Sequence, residues 1–182
     1  MKYLTATLVL LLCACASAPD VRYYQLPVKP AAPSADATAT KTLYFEPVQV
    51  ASFLNGRGLV LQLTPVELVM ARQHLWAEPL EQQLQRQLRD RVLAQAPGYA
   101  AVLQPDSNTV RVTLQLDAFH GQPDGYAIVG GHFALSKQPA QAFSIRVPLA
   151  DDGYPALVSA LGQGVQQLSA RIAAQLSDKS AS

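Results

Sequence analysis

Apolar residues recur along this chain with two different periods, and the change of period separates strands from helices. From Leu43 the spacing is two. Leu43 and Phe45 are followed by Val48 and Val50, with a slip of phase at Pro47 that predicts a bulge or an edge position. Asn55-Gly56-Arg57-Gly58 reads as a turn. Leu59, Leu61 and Leu63 then point one way, and after Thr64-Pro65 so do Val66, Leu68 and Met70, which together predict a hairpin. The spacing changes to four at Leu80, Leu84, Leu88 and Val92, with Glu81, Gln82, Gln85, Arg86, Arg89 and Asp90 between them. That is an amphipathic helix. Pro79 sits near its first turn, where a missing N–H costs nothing, and Ala96-Pro97-Gly98 ends it.

The second half follows the same logic. Val110, Val112, Leu114 and Leu116 alternate with Arg111, Thr113, Gln115 and Asp117, and Gly121-Gln122-Pro123-Asp124-Gly125 turns the chain. Tyr126 to Leu135 and Phe143 to Leu149 are further strands, the second with Phe143, Ile145, Val147 and Leu149 on one face. Asp151-Asp152-Gly153-Tyr154-Pro155 caps a last helix, whose stripe is Leu157, Leu161, Val165, Leu168, Ile172 and Leu176. Strands outnumber helices, short turns join consecutive strands, and each helix has one apolar stripe. The expected fold is α+β in two layers: a mostly antiparallel sheet with both amphipathic helices packed on one face. The other face is left for water or a partner.

The N-terminus obeys neither period. Lys2 precedes an apolar run ending at Leu12, too short for a permanent membrane span of about 20 residues. A positive start, a short apolar stretch and a small-residue boundary describe a signal peptide. Leu12-Cys13-Ala14-Cys15 resembles the bacterial lipobox. The resemblance implies a signal peptide over 1–14 and makes Cys15 the new N-terminus, carrying an N-acyl chain and an S-diacylglycerol thioether. Cys13 is the poorer acceptor, because Leu12 is too large for the position before the cut. The same resemblance implies an address. Aspartate directly after the lipidated cysteine retains such proteins at the inner membrane, whereas Ala16 and Ser17 follow here. The periplasmic leaflet of the outer membrane is the expected location. No unmodified cysteine remains after cleavage, so no disulfide is expected despite an oxidising compartment.

Residues 15–41 then form the lipidated terminus, a short strand and a loop or linker. Val21 to Leu26 is strand-like, while Pro27 to Thr40 is rich in Pro, Ala and Thr and has no core of its own. It is an excursion loop if Tyr23-Tyr24 pairs into the sheet and a tether otherwise; the loop is favoured. Residues 42–177 make one domain, and 178–182 a polar tail. The 182 residues carry a formal net charge of +1, and removing Lys2 leaves the mature side chains balanced. A neutral body argues against capture of nucleic acid. Only 15% of residues are charged, which suggests that a partner covers some of the surface.

Candidate chemistry is sparse. His74, His120 and His132 lie far apart and lack the spacing of a local metal site. Asp117, His120 and Asp124 fall around one turn, where solvated turn polarity outweighs a weak cation site. No Gly-x-Ser-x-Gly elbow occurs, and Gly56-Arg57-Gly58 and Gly130-Gly131 lack the strand-to-helix setting of a phosphate loop. Glu78 and Glu81 share a helix start, where they complement the dipole. The chain does not read as an enzyme. Trp76, just before a helix, reads mainly as a packed anchor and secondarily as a partner contact.

One stretch carries a family resemblance. Pro47-Val48-Gln49-Val50, Phe53-Leu54, Arg57, Leu59-Val60-Leu61, Val66-Glu67-Leu68 and His74-Leu75-Trp76-Ala77-Glu78-Pro79-Leu80 lead into the leucine-striped helix. Tyr23-Tyr24-Gln25-Leu26 precedes them, and Tyr154-Pro155-Ala156-Leu157-Val158 opens the last helix. This order resembles the PqiC/YmbA family, the auxiliary lipoproteins of ABC-type and MCE-type transport systems, over essentially the whole mature chain. Asn55-Gly56-Arg57 departs from the leucine-aspartate-arginine-like turn expected there. The resemblance implies a non-catalytic docking subunit for intermembrane lipid transport, without a cofactor beyond the covalent lipid on Cys15. The implied partners are an MCE-domain tube protein and its inner-membrane transport subunit; a homo-oligomer stays open. Arg57, between two glycines, and Arg72, which is expected to end the second strand of the hairpin, are the candidate partner residues, with Trp76 as the minority contact, because arginine suits interface hot spots. For either arginine an ordinary surface salt bridge is the competing reading. The alternative function is an outer-membrane lipoprotein that scaffolds or regulates envelope assembly.

Overall fold

The structure, a computed structural model, describes residues 20–28, 39–136 and 138–178. Its strands are β1 (Arg22–Tyr24), β2 (Lys41–Phe45), β3 (Gln49–Val50), β4 (Gly58–Thr64), β5 (Glu67–Trp76), β6 (Tyr99–Ala101), β7 (Val110–Gln122), β8 (Tyr126–Leu135) and β9 (Gln141–Pro148). Among the described residues two α-helices, α1 (Leu80–Leu93) and α2 (Tyr154–Asp178), complete the fold, with a short 3₁₀ turn at Ser52–Leu54.

Strand β7 organises the nine-stranded sheet. One of its edges pairs with β8, which pairs with β9, and both pairings are antiparallel. Its other edge takes β2, then β3, then β4 in succession, all parallel to it: Leu43 lies opposite Val110, Val50 opposite Leu116, and Leu61 opposite Gly121. Outside these, β6 pairs with β2 and β1 pairs with β5, again parallel. Paired residues are mostly antiparallel, as expected, because the parallel pairings span only one to three residues each. Strand β6 was not legible in the sequence. Its three residues carry no alternation long enough to register, yet Tyr99 is buried and its hydroxyl donates to the Leu176 carbonyl at 3.2 Å.

Both helices lie against one another and over the sheet, as their stripes require. Leu80, Leu84, Leu88 and Val92 of α1 are buried, as are Leu157, Leu161, Val165, Leu168, Ile172 and Leu176 of α2. They meet Val112, Leu114 and Leu116 of β7, Val129 and Phe133 of β8, and Phe143, Ile145 and Val147 of β9 in one core. The opposite face of the sheet carries Thr113, Gln115, Asp117, His132, Ser144 and Arg146, all exposed.

Polar residues of α1 hold the irregular segments. Gln85 bridges the break at Pro47: its side-chain nitrogen donates to the Phe45 carbonyl at 3.0 Å, and its oxygen accepts from the Val48 N–H at 2.9 Å. Buried Gln83 accepts from the Leu26 N–H at 2.9 Å. Arg91 donates to the Pro27 carbonyl at 2.7 Å and to Gln166 at 2.6 Å. The chain leaving β1 is thereby bound across α1. Gly162 of α2 also leaves room for it, since a Cβ there would come within 2.7 Å of the Pro27 ring. Tyr23-Tyr24 does pair into the sheet, while most of the Pro/Ala-rich stretch beyond lies outside the described residues.

Two expectations need correction. Arg72 does not end a strand, because β5 continues to Trp76. The hairpin exists, but its apolar residues are not all in the core: toward the tip, Leu63, Val69 and Met70 are exposed on the strands, as is Val66 in the turn.

Candidate docking surface

The chain bends through Asn55–Arg57 into β4, and Arg57 then reaches back to the end of β5. Its carbonyl accepts the Trp76 N–H at 2.6 Å. Its guanidinium donates to the Trp76 carbonyl from Nε and Nη2, at 3.2 and 3.1 Å, and from Nη2 to the Ala77 carbonyl at 3.1 Å. The same group lies 5.3 Å from the Tyr23 ring centroid, a cation–π distance. Among the described residues Arg57 makes no ion pair; it ties the last residues of β5 to each other and to β1. Trp76 beneath is 3% exposed and tilts against Phe119 with ring centroids 6.0 Å apart. With its indole in the core, Trp76 supports this surface from below and presents no ring to a partner.

A second clasp lies one turn of the pleat away. Tyr24 Oη and His74 Nδ1 are 2.9 Å apart, and the His74 ring stacks on Tyr154 at 3.9 Å with an 18° interplanar angle. Strands β1 and β5 are thus joined to the first residue of α2. Arg72 sits in the irregular part of β5. Gly58 pairs with Leu75 but Val60 pairs with Met70, so Ala71–His74 bulge opposite Leu59. A regular hairpin would have set Arg72 opposite Gly58; the bulge puts Leu75 there instead and leaves Arg72 within the bulge, opposite Leu59. Among the described residues its exposed side chain has no hydrogen bond or ion pair.

Beyond this corner the hairpin projects past the end of β7, where Gln62 and Gln122 are hydrogen-bonded at 3.2 Å. Val66 is 96% exposed, Met70 50%, Leu63 43% and Val69 40%. At the hairpin's base, Leu61, Leu63, Gly121, Leu149, Tyr154 and Leu157 line an apolar cleft of about 220 Å³. Gly121 keeps it open on one side, since a Cβ there would meet Leu61 at 2.8 Å and Leu157 at 3.0 Å.

The candidate cation ligands are not brought together. Asp117 pairs with His132 at 3.1 Å, Asp124 pairs with Arg146, and His120 is buried with Nδ1 3.3 Å from the Gly121 carbonyl. Burial pulls the His120 pKa below its ordinary value, because the charged ring loses its hydration. No cluster of metal-ligating side chains occurs among the described residues. Cys15 lies outside them. The sequence reading missed the polar clamp of Gln83, Gln87 and Arg91, whose spacing of four beside the leucine stripe was its available signal.

The chain is thus an α+β scaffold that presents an apolar hairpin tip and a braced arginine corner. Comparisons with known proteins assign its family. The chain belongs to the ABC-type transport auxiliary lipoprotein family, whose model matches residues 24–173. It is 33% identical, over 96% of its length and 97% of theirs, to the intermembrane transport lipoproteins PqiC of Escherichia coli (strain K12) and of Shigella flexneri. Among solved structures, an uncharacterized protein at 34% identity superposes with a TM-score of 0.75, covering 85% of this chain and 97% of that one. A Xanthomonas campestris protein at 17% identity, with a TM-score of 0.64 over 87% and 99% of the two chains, shares the fold.

Proposed function

We propose that this lipoprotein is held at the periplasmic leaflet of the outer membrane by acyl chains on Cys15 and is the non-catalytic docking subunit of an intermembrane lipid transport system. The observation that carries the reading is its near-full-length identity to proteins named for intermembrane transport. Among the described residues no helix is long and apolar enough to cross a membrane, which accords with a lipid anchor. The partner is an MCE-domain tube protein acting with its inner-membrane transport subunit. Arg72, in the β5 bulge, faces that partner, and Arg57 and Trp76 hold the end of β5 beside it.

Two measurements test this. Mass spectrometry of the membrane-extracted protein is expected to show residues 1–14 absent and acyl chains on Cys15; an unmodified cysteine in the soluble periplasmic fraction would sink the anchor. Affinity purification of the tagged protein from native membranes is expected to recover an MCE-domain protein. Arg72→Glu, with the fold checked by circular dichroism, is expected to reduce that recovery, since charge reversal at an interface core leaves partner groups unpaired. Wild-type protein that recovers no MCE-domain partner overturns the docking role itself.

A further inference from the structure

We infer that the tip of the β4–β5 hairpin, Leu63–Met70, seats in the surface of the membrane to which the chain is anchored and sets the body's orientation there. The inference rests on acylation of Cys15 and adds a second, non-covalent membrane contact to it.

Chain direction carries the argument. Strand β1 is parallel to β5 and enters it at His74, with Arg22 opposite His74. The start of β1 therefore lies at the end of the sheet toward which the hairpin projects. Cys15 precedes Arg22 by seven positions, so the acylated residue lies no more than about 25 Å from it. From His74 back to Val66 the hairpin is eight residues long, about 26 Å for regular strand and less with the bulge. The chain thus enters β1 from the side toward which the hairpin projects, and the greatest possible span from Arg22 to Cys15 is about the length of the hairpin. A membrane surface close enough to receive the acyl chains is close enough for the tip.

The chemistry of the tip fits that surface. The turn residue Val66 is almost fully solvated, and exposed apolar side chains lie on both faces of the hairpin. Val69 shares a face with Leu61, and Met70 shares the opposite face with Val60. A protein pad against a sheet covers one face, whereas lipid surrounds a projecting tip on both. Exposed Val21, just before β1, and Tyr23 on it extend the apolar surface toward the tether. Near the tip and the cleft behind it, exposed Glu67, Asp151 and Asp152 outnumber exposed Arg57 and Arg72, while Asp124 is paired with Arg146, so this end has no net attraction for anionic lipid. Insertion is accordingly shallow, driven by apolar area and insensitive to salt.

The test uses the full acylated protein with an environment-sensitive fluorophore on Val66→Cys, reconstituted in phosphatidylethanolamine/phosphatidylcholine vesicles. Met70→Cys provides an independent second site, and Ser144→Cys on the exposed sheet face serves as control. Unchanged Trp76 emission confirms the fold of each variant. The expected result is blue-shifted emission at positions 66 and 70 and quenching by lipids doxylated near the headgroup, unchanged at high salt, with neither effect at position 144. Aqueous emission without quenching at the tip, in protein whose acyl chains are verified by mass spectrometry, overturns the proposal and leaves the anchor standing. Absence of acyl chains overturns the anchor reading beneath it. A blue shift that appears without vesicles and grows with protein concentration assigns the tip to a second copy and overturns the proposal. One that needs added MCE-domain protein overturns it in favour of a protein partner.

Discussion

Strand β9 and the β4–β5 hairpin both carry apolar residues two positions apart, yet they meet different surroundings. Phe143, Ile145 and Val147 of β9 lie under α2 and are at most 6% exposed. Leu63, Val69 and Met70 of the hairpin are each 40% exposed or more. The difference lies in what covers each strand. The 25 residues of α2 run over β8 and β9 and touch β7, while the hairpin extends past the end of β7 beyond that cover. An apolar stripe shows that a strand has a burial-seeking face; it does not name the element that buries it. In the body that element is α2. At the tip it has to come from outside the chain.

The comparison is broken or sharpened most strongly in the body. Leu161→Ala and Leu168→Ala remove side chains that are 1% and 0% exposed and should each cost about 2–5 kcal/mol, read as a lowered urea midpoint. A midpoint unchanged within error would show that α2 is not packed as described. At the junction of the two regions, Arg57→Ala deletes three hydrogen bonds to carbonyls on a half-open surface. It should cost about 1–2 kcal/mol and move the emission of the single tryptophan, Trp76, to the red.

The pH dependence of the body follows from His120. Its pKa is lowered on folding, so between the folded value and the unfolded value of about 6.5 the unfolded chain binds more protons. The contribution of the neutral ring to stability is therefore fully present above pH 6.5 and is lost as pH falls toward the folded value. His120→Gln should flatten that part of the stability–pH curve, measured by urea titration across pH 5 to 8 (roughly the range in which histidine titrates). The smallest effect belongs to the tip. Val66→Thr should change the midpoint by less than about 0.5 kcal/mol, since the side chain is already solvated. A larger loss would mean that the tip is stabilised within the chain and needs no outside cover.

Much of the fold was legible because the relevant signals are local and long. Thirteen residues of β7 and 25 of α2 carry their periods over several repeats, and the spacing of Leu80, Leu84, Leu88 and Val92 identifies α1 without further help. Less of the candidate site was legible. Arg57 stands out between two glycines, but its carbonyl partners come from Trp76 and Ala77, about twenty positions downstream. No local pattern encodes that return. Arg72 is shifted out of the place opposite Gly58 that a regular hairpin would give it, because four residues of β5 bulge opposite Leu59, a register shift that alternation does not reveal.

From the sequence alone came the long elements, the two-layer fold and the expectation of an acylated cysteine, because periodicity and short motifs act over a few residues and survive without knowledge of neighbours. Tertiary structure alone decided which apolar faces are covered, that β1 runs parallel to β5 at the end from which the hairpin projects, and that the aspartates and histidine around the β7–β8 turn find separate partners. Those outcomes depend on residues brought together from distant positions. The long-range pairings of the parallel strands, with partners about fifty to seventy positions apart, leave no periodic trace in the chain that makes them.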